Sequence, residues 1–189
     1  IVHYSENRRK MAAGDIVVMD FGPDYKYYGA DISRTFPVSG KFSREQAKVY
    51  QAVLDTHKAV LEKIRPGATF DDLETAAHDT LKRFGYDEYF GHSVSHYVGM
   101  AIHDVGDSKP FQAGVVIAVE PGVYLKDRNL GVRIEDTVLV TKDGYEILTK
   151  DAPKEISEIE ALMSEKGLSE AVEIVNRQEV CHRNFLIFD

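Results

Sequence analysis

Hydrophobic and polar positions follow two different periods along this chain. The run Ile16-Val17-Val18-Met19 reads as the core of a strand over residues 15–21. Residues 31–36 read as a second strand, with a Gly/Pro/Tyr/Lys turn region between the two. From residue 43 the period becomes helical. Val49, Val53, Val60 and Leu61 recur at helical spacing, Ser43 and Gln46 form an S-x-x-Q capping box, and Pro66-Gly67 stops the run. A second helix follows, capped by Thr69, with Asp71 and Asp72 in its first turn and Gly85 at its end. Residues 86–113, rich in Gly and His, read as mostly irregular, with a short strand near Tyr97–Met100. "VVIAVEPG" and "GVRIEDTVLV" are two further strands, and "GYEILT" is another after a Lys-Asp-Gly turn. From Pro153 the chain is charged and helical in character, and the final "NFLIFD" is apolar and unplaced.

Two carboxylates break this pattern. The first apolar run continues into Asp20, and the second begins after Asp31. Burying a lone carboxylate is costly. If the hairpin folds about Tyr25–Lys26, Asp20 faces Asp31 across the strands, with Cβ atoms about 4.5–5.5 Å apart. If the strands near 120 and 135 turn about Asp127–Arg128, Glu120 faces Glu135 in the same way. Opposed like charges destabilise a sheet, so a solvated strand end or an arginine partner is the ordinary explanation for one such pair. Two pairs on matching hairpins point instead to cations.

Histidines strengthen that reading. His92, His96 and His103 lie within "GHSVSHYVGMAIHDVGD", between the two carboxylate hairpins. Four carboxylates and one neutral imidazole carry −4, which two divalent cations balance. Oxygen donors with one imidazole suit Mn²⁺, Co²⁺, Fe²⁺ or Zn²⁺ better than a soft metal. Two such ions about 3.5–4 Å apart can activate a water and clamp a tetrahedral intermediate. The 189 residues suffice for one domain with a core, and the net charge of −8, with no run of Lys or Arg, argues against nucleic acid. One cysteine, Cys181, permits no internal disulfide. No apolar run reaches the roughly 18 residues of a membrane span, and the start shows no signal peptide. A soluble, cytoplasmic protein is expected.

The order Asp20, Asp31, His96, Glu120, Glu135 resembles the pita-bread metallopeptidases. So do the strings "MDFG", "GADISRTFPVSGKF", "HSVSHYVGM", "IHDVGD", "VIAVEPGVY" and "GVRIEDTVLVT". The later strings resemble the proline-specific branch, aminopeptidase P and prolidase, more than methionine aminopeptidase. The resemblance covers residues 1–163. It implies an α+β pita-bread fold, a curved antiparallel sheet with covering helices, and two divalent metal ions, manganese first. It implies that Asp20 binds one ion, that Asp31 and Glu135 bridge both, and that His96 and Glu120 complete the set, with Glu120 also moving a proton. His3, His92, His103 and Arg133 would contact substrate, and His92 and His103 would steady the tetrahedral intermediate. By strand parity Arg133 shares the Glu135 face; a surface salt bridge is its alternative. Tyr27, Tyr28 and Tyr97 could stack on proline, although core packing is their ordinary role.

The implied activity is hydrolysis of the bond between an N-terminal residue and a following proline, on a peptide with proline at position two. A prolidase restricted to dipeptides is the near alternative, and a non-catalytic binding module on the same fold is the alternative of another class. The family's N-terminal domain and opening helices have no counterpart before residue 1, so a truncated chain is expected. Val17, Met19 and Phe21, on the face opposite Asp20, then need a cover. A neighbouring segment or a homo-oligomer is the expected partner, ahead of the tail 164–189, whose Leu168, Ala171, Val172, Ile174 and Val175 could form one helical face.

Overall fold

The structure is a computed structural model that describes residues 3, 4, 6 and 8–165. The tail from residue 166, with Cys181 and "NFLIFD", lies outside the described residues. The first hairpin comprises β1 (Ile16–Phe21), β2 (Asp24–Tyr25), β3 (Tyr28–Gly29) and β4 (Ile32–Pro37). Two helices follow, α1 (Arg44–Leu61) and α2 (Phe70–Phe84). Then come β5 (Ser95–Tyr97), β6 (Val116–Val119), β7 (Gly122–Leu125), β8 (Leu130–Arg133), β9 (Asp136–Val140) and β10 (Tyr145–Ile147), closed by α3 (Ile156–Met163). Among the described residues no helix is long and apolar enough to cross a membrane.

The helix signals in the sequence are realised closely. Ser43 and Gln46 exchange side-chain and backbone hydrogen bonds in a full capping box, and Thr69 does the same with Asp72. Gly85 ends α2 at φ 74°, a left-handed conformation that glycine adopts without steric cost. The 86–113 region is mostly irregular, as its composition suggests. Its strand lies three residues earlier than expected at the far end, because Val98 onward turns into the loop carrying His103.

The first hairpin corrects one expectation. Its turn is centred on Lys26 and Tyr27, both at positive φ (51° and 71°), as a two-residue type I′ turn requires. The register therefore shifts by two: Asp20 lies opposite Ser33, and Asp31 is a diagonal neighbour on the same face. Gly22 makes room for this crossing, since a Cβ there would sit 1.6 Å from the Ala30 carbonyl oxygen. The second hairpin keeps the expected register, with Gly122 opposite Arg133 and Val119 opposite Asp136. Both of its long strands break at one level, around Glu120-Pro121 and Ile134-Glu135, so each expected strand is two short ones.

A seam joins the two hairpins into one curved surface. Glu135 N–H donates to the Ser33 carbonyl (3.0 Å), Thr35 Oγ1 bonds to the Arg133 backbone in both directions, and Thr137 Oγ1 does the same with Asp31. Opposite steps of two residues mark antiparallel neighbours. Alternation then sorts the side chains. Ile117, Val119, Val132, Ile134, Val138 and Val140 turn inward and pack in one core with Val49, Val53 and Leu54 of α1, Leu73 and Leu81 of α2 and Ile159 of α3. Ser33, Arg133, Glu135 and Glu120 face the other way.

Met19 and Phe21 are 47% and 59% exposed, whereas Phe36, on the same face of the paired strand, packs against the core. One further expectation changes. Tyr27 and Tyr28 stand at the hairpin tip, 80% and 63% exposed, rather than in a core. The turn geometry pushes them outward. Tyr97 does pack, edge-on against Phe70.

The capping geometry yields a stability prediction. Thr69→Ala removes the acceptor for Asp72 N–H and should cost about 1 kcal/mol, a fall in Tm of roughly 2–4 °C for a chain of this size. Thr69→Ser should restore most of it. Equal melting of Thr69→Ala and the parent would contradict the cap's role.

Candidate metal centre

Five donors converge where the hairpins meet. His96 enters from β5, Glu120 and Glu135 from the strand breaks, Asp20 from β1 and Asp31 from the residue before β4. His96 Nε2 lies 3.6 Å from Asp31 Oδ2, 3.4 Å from Glu120 Oε1 and 3.9 Å from Glu135 Oε1. Three sets of three, Asp31–His96–His103, His96–Glu120–Glu135 and Asp20–Asp31–Glu135, each place one donor atom per residue within 4.8 Å of the others. The sets share members, so they form one contiguous donor surface.

The electrostatics of this surface are unfavourable without cations. Burial, reinforced by the Asp20 charge, pushes the Asp31 carboxyl up to about 6. Burial pushes Glu120 up to about 7 against the opposing pull of Arg133. Burial together with Asp31 and Glu120 pushes Glu135 up to about 9. Among the described residues, the buried His96 Nε2 and Glu135 Oε1 have no hydrogen-bond partner, although both face the other donors. His96 Nδ1 is 3.0 Å from the Tyr97 carbonyl oxygen, a contact that assigns the ring proton to Nδ1 and leaves the Nε2 lone pair aimed at the carboxylates. Orphaned acceptors and crowded carboxylates on one wall are the donor set that divalent cations satisfy, so the residues fit a metal centre.

Around the donors runs a hydrogen-bonded frame. Arg133 is buried rather than a surface salt-bridge residue. Its Nη2 bonds Asp20 Oδ2 (2.7 Å), its Nε bonds Ser33 Oγ (2.9 Å) and its Nη1 bonds Tyr124 Oη (2.9 Å). Ser33 Oγ donates in turn to Glu135 Oε2 at 2.8 Å. Tyr124 Oη donates to His92 Nε2 (2.8 Å), and His92 Nδ1 faces the Ser93 carbonyl oxygen (2.9 Å). Burial lowers the His92 pKa, which suits the neutral ring this chain of donors describes. His92 Nδ1 is also 3.9 Å from Glu120 Oε2. His103 stacks on His96 with ring centroids 3.8 Å apart and planes 16° apart, and burial, then the His96 and His3 charges, lower its pKa. His3 is exposed; its charge also contributes to the lowered pKa of His92.

Every site residue read from the sequence is thus at or beside one surface, with His3 on its exposed side. Ser33 and Tyr124 were not singled out. Parity could have found Ser33, which shares the face of Asp31, and Tyr124, which shares the face of Glu120. The first-hairpin register, wrongly placed by two, hid the Asp20–Ser33 pairing.

The raised carboxyls predict a pH signature. A carboxyl whose pKa rises on folding is held protonated by the folded state. It carries no penalty below its unfolded pKa near 4 and subtracts stability as pH climbs toward the folded value. Chelator-treated protein should therefore lose stability between about pH 5 and 9. Bound cations invert the sign, because ionised ligands then stabilise the fold and lose that effect as pH falls. The gain in Tm on adding Mn²⁺ should be small at pH 5 and large at pH 8. A gain that is absent at pH 8 or equal at both values would contradict the site.

Comparison with known proteins agrees with this geometry. The profile of Metallopeptidase family M24 matches residues 1–142. The chain is 36% identical to the Xaa-Pro aminopeptidase of Haemophilus influenzae, over 87% of this chain and 45% of that protein. It is 39% identical to the Xaa-Pro dipeptidase of Pyrococcus horikoshii, over 78% of this chain and 43% of the relative. The solved structure of aminopeptidase PepP from Pseudomonas aeruginosa superposes with a TM-score of 0.80 at 35% identity, covering 86% of this chain and 44% of the other. The chain spans about two fifths of the length of the curated relatives it matches. The fold is the pita-bread fold of those neighbours, and the chain belongs to metallopeptidase family M24.

Proposed function

We propose that this chain carries the catalytic unit of a dinuclear metal-dependent Xaa-Pro aminopeptidase, which hydrolyses the bond between an N-terminal residue and a following proline. The observation that carries the reading is the convergence of Asp20, Asp31, His96, Glu120 and Glu135, with Nε2 of His96 and Oε1 of Glu135 buried and unpaired among the described residues. The names of the two proline-specific relatives support the substrate class. The unit is taken to run to residue 163, because Ile159 of α3 is fully buried in the core.

In this proposal Asp20, Asp31, His96, Glu120 and Glu135 would hold two divalent ions, manganese the first choice over cobalt, zinc and iron. Bound there, the ions would supply Lewis acidity and a water of lowered pKa. The chain's own residues do the remainder. Glu120 is the proton acceptor and donor, a role suited to a carboxyl that its surroundings place near neutrality. His92 and His103 flank the donors: His103, stacked on His96, can turn a ring N–H toward the negative charge that develops on the scissile carbonyl oxygen, while His92, engaged by Ser93 and Tyr124, would do so on exchanging one of those bonds. Tyr124 fixes His92 by hydrogen bond, and His3 lines the substrate side. Arg133 holds Asp20 and, through Ser33, Glu135.

A panel of three peptides with added Mn²⁺ tests the specificity. Ala-Pro-Ala should lose its N-terminal alanine, Met-Ala-Ala should be cut more slowly, and Glu120→Gln should lower the rate by about 10²–10⁴. Faster hydrolysis of Met-Ala-Ala contradicts the proline-specific reading. Cleavage of Ala-Pro without Ala-Pro-Ala moves the activity to a dipeptidase.

A further inference from the structure

Beneath the donor surface, on the helix side of the same strands, lies a buried ion cluster. Strand alternation builds it. Where Ser33 and Glu135 face the donors, their neighbours Arg34 and Asp136 face inward toward α1. The Asp136 carboxylate is wholly buried. It accepts from Arg34 Nη2 (2.7 Å) and Thr149 Oγ1 (2.7 Å) on Oδ1, and from Lys154 Nζ on Oδ2, with His57 Nε2 3.1 Å away. Against the burial that raises it, the contact with His57, then the Arg34 and Lys154 charges, hold the Asp136 carboxyl far below its ordinary value.

Arg34 is the member that reaches the donor layer. Its guanidinium is 3% exposed as a residue and uses all five N–H groups. Nε donates to Pro153 O (2.9 Å), Nη1 to Ser33 O (2.9 Å) and Glu135 O (2.5 Å), and Nη2 to Asp136 Oδ1 and Ala152 O (3.0 Å). Three parts of the chain meet on this one planar group: β4 of the first hairpin, the break before β9 in the second, and the 152–154 segment leading into α3. Glu135 is consequently held at its backbone N–H, its carbonyl and one carboxylate oxygen. Its N–H donates to Ser33 O, its carbonyl accepts from Arg34, and its Oε2 accepts from Ser33 Oγ. None of these contacts uses Oε1, the atom that faces His96.

We propose that Arg34, anchored from below by Asp136, is a positioning residue for the metal centre: it fixes the spacing between the Asp20/Asp31 hairpin and Glu135, and so sets whether two ions bind as a coupled pair. The proposal rests on the metal-site reading above. A lysine cannot replace the arginine, because one ammonium cannot meet five acceptors spread over a plane. The consequence is specific. Loss of Arg34 should leave each hairpin's own donors in place and loosen the relation between them, so the first ion should bind nearly as before and the second should weaken. Loss of outer partners of metal ligands typically weakens binding about 10- to 100-fold.

Manganese titration of the full chain, followed by electron paramagnetic resonance and by thermal melting, tests this. The parent should bind two Mn²⁺ and give the spectrum of an exchange-coupled pair. Arg34→Lys should need about 10- to 100-fold more Mn²⁺ for the second ion and show a six-line mononuclear spectrum at one equivalent. Leu81→Ala, a core truncation in α2, should lower Tm and keep the coupled spectrum, since it is unconnected to Glu135. Lys154→Met removes an Asp136 partner that does not touch Ser33 or Glu135, and should shift the second Mn²⁺ affinity in the same direction by less; it carries the test if Arg34→Lys does not fold. A coupled spectrum with unchanged second-ion affinity in Arg34→Lys, or in Lys154→Met where only that variant folds, overturns the positioning role. Failure of the parent to bind Mn²⁺ overturns the metal site itself, and the proposal with it.

Discussion

The constraint on which the structure depends is the gathering of like charge on one side of a sheet whose other side is a hydrocarbon core. Glu135 is 1% exposed and has Asp31 and Glu120 as electrostatic neighbours. In a low-dielectric setting such carboxylates cannot all ionise unless positive charge comes close. Arg133 supplies some of it, and its bonds go to Asp20, Ser33 and Tyr124 rather than to Glu135 Oε1. That oxygen and the His96 Nε2 remain turned toward one another at 3.9 Å without a hydrogen bond. A fold maintained for stability alone would have little use for this arrangement, since apolar residues of similar size would serve better there.

The same strand period explains how the charge is held in place. With period two, a donor facing outward has neighbours facing inward, so the strands around Glu120 and Glu135 also contribute to the core, through Val119 and Ile134. Ile134 and Asp136 flank Glu135 and both point toward α1, one into hydrocarbon and one into the cluster of Arg34, His57 and Lys154. Interrupting the ladders around Glu120 and Glu135 frees these residues from strand pairing while their neighbours remain locked. The helices therefore act on the chemistry indirectly. Their packing fixes the inward side chains, and the alternation passes that rigidity to the outward ones.

Much of this was legible in the sequence, for physical reasons that differ by element. The Ser43–Gln46 capping box and the Thr69 cap were readable because they need only residues a few positions apart. The second hairpin's register was readable because a four-residue loop with Asn129 at φ 49° closes it symmetrically. The first hairpin was not, since Lys26 and Tyr27 carry positive φ without the Asn or Gly that usually announces such a turn. The donor set survived that error because a slip of two residues preserves the face each side chain occupies. The seam between hairpins was beyond reach. Asp31 with Thr137 and Ser33 with Glu135 are contacts across more than one hundred residues, each formed by a pair of bonds that leaves no periodic trace. The pairing of Arg34 with Asp136 spans a similar distance along the chain.

The central claim, that the five donors form a two-cation site, is tested most directly by diffraction. Crystals of the chain grown with Mn²⁺ at neutral pH, without chelator, should show two anomalous peaks at the manganese edge. Both should lie among Asp20, Asp31, His96, Glu120 and Glu135, with carboxylate oxygens of Asp31 and Glu135 shared between them. The absence of anomalous density there, with those five side chains turned apart, would contradict the account.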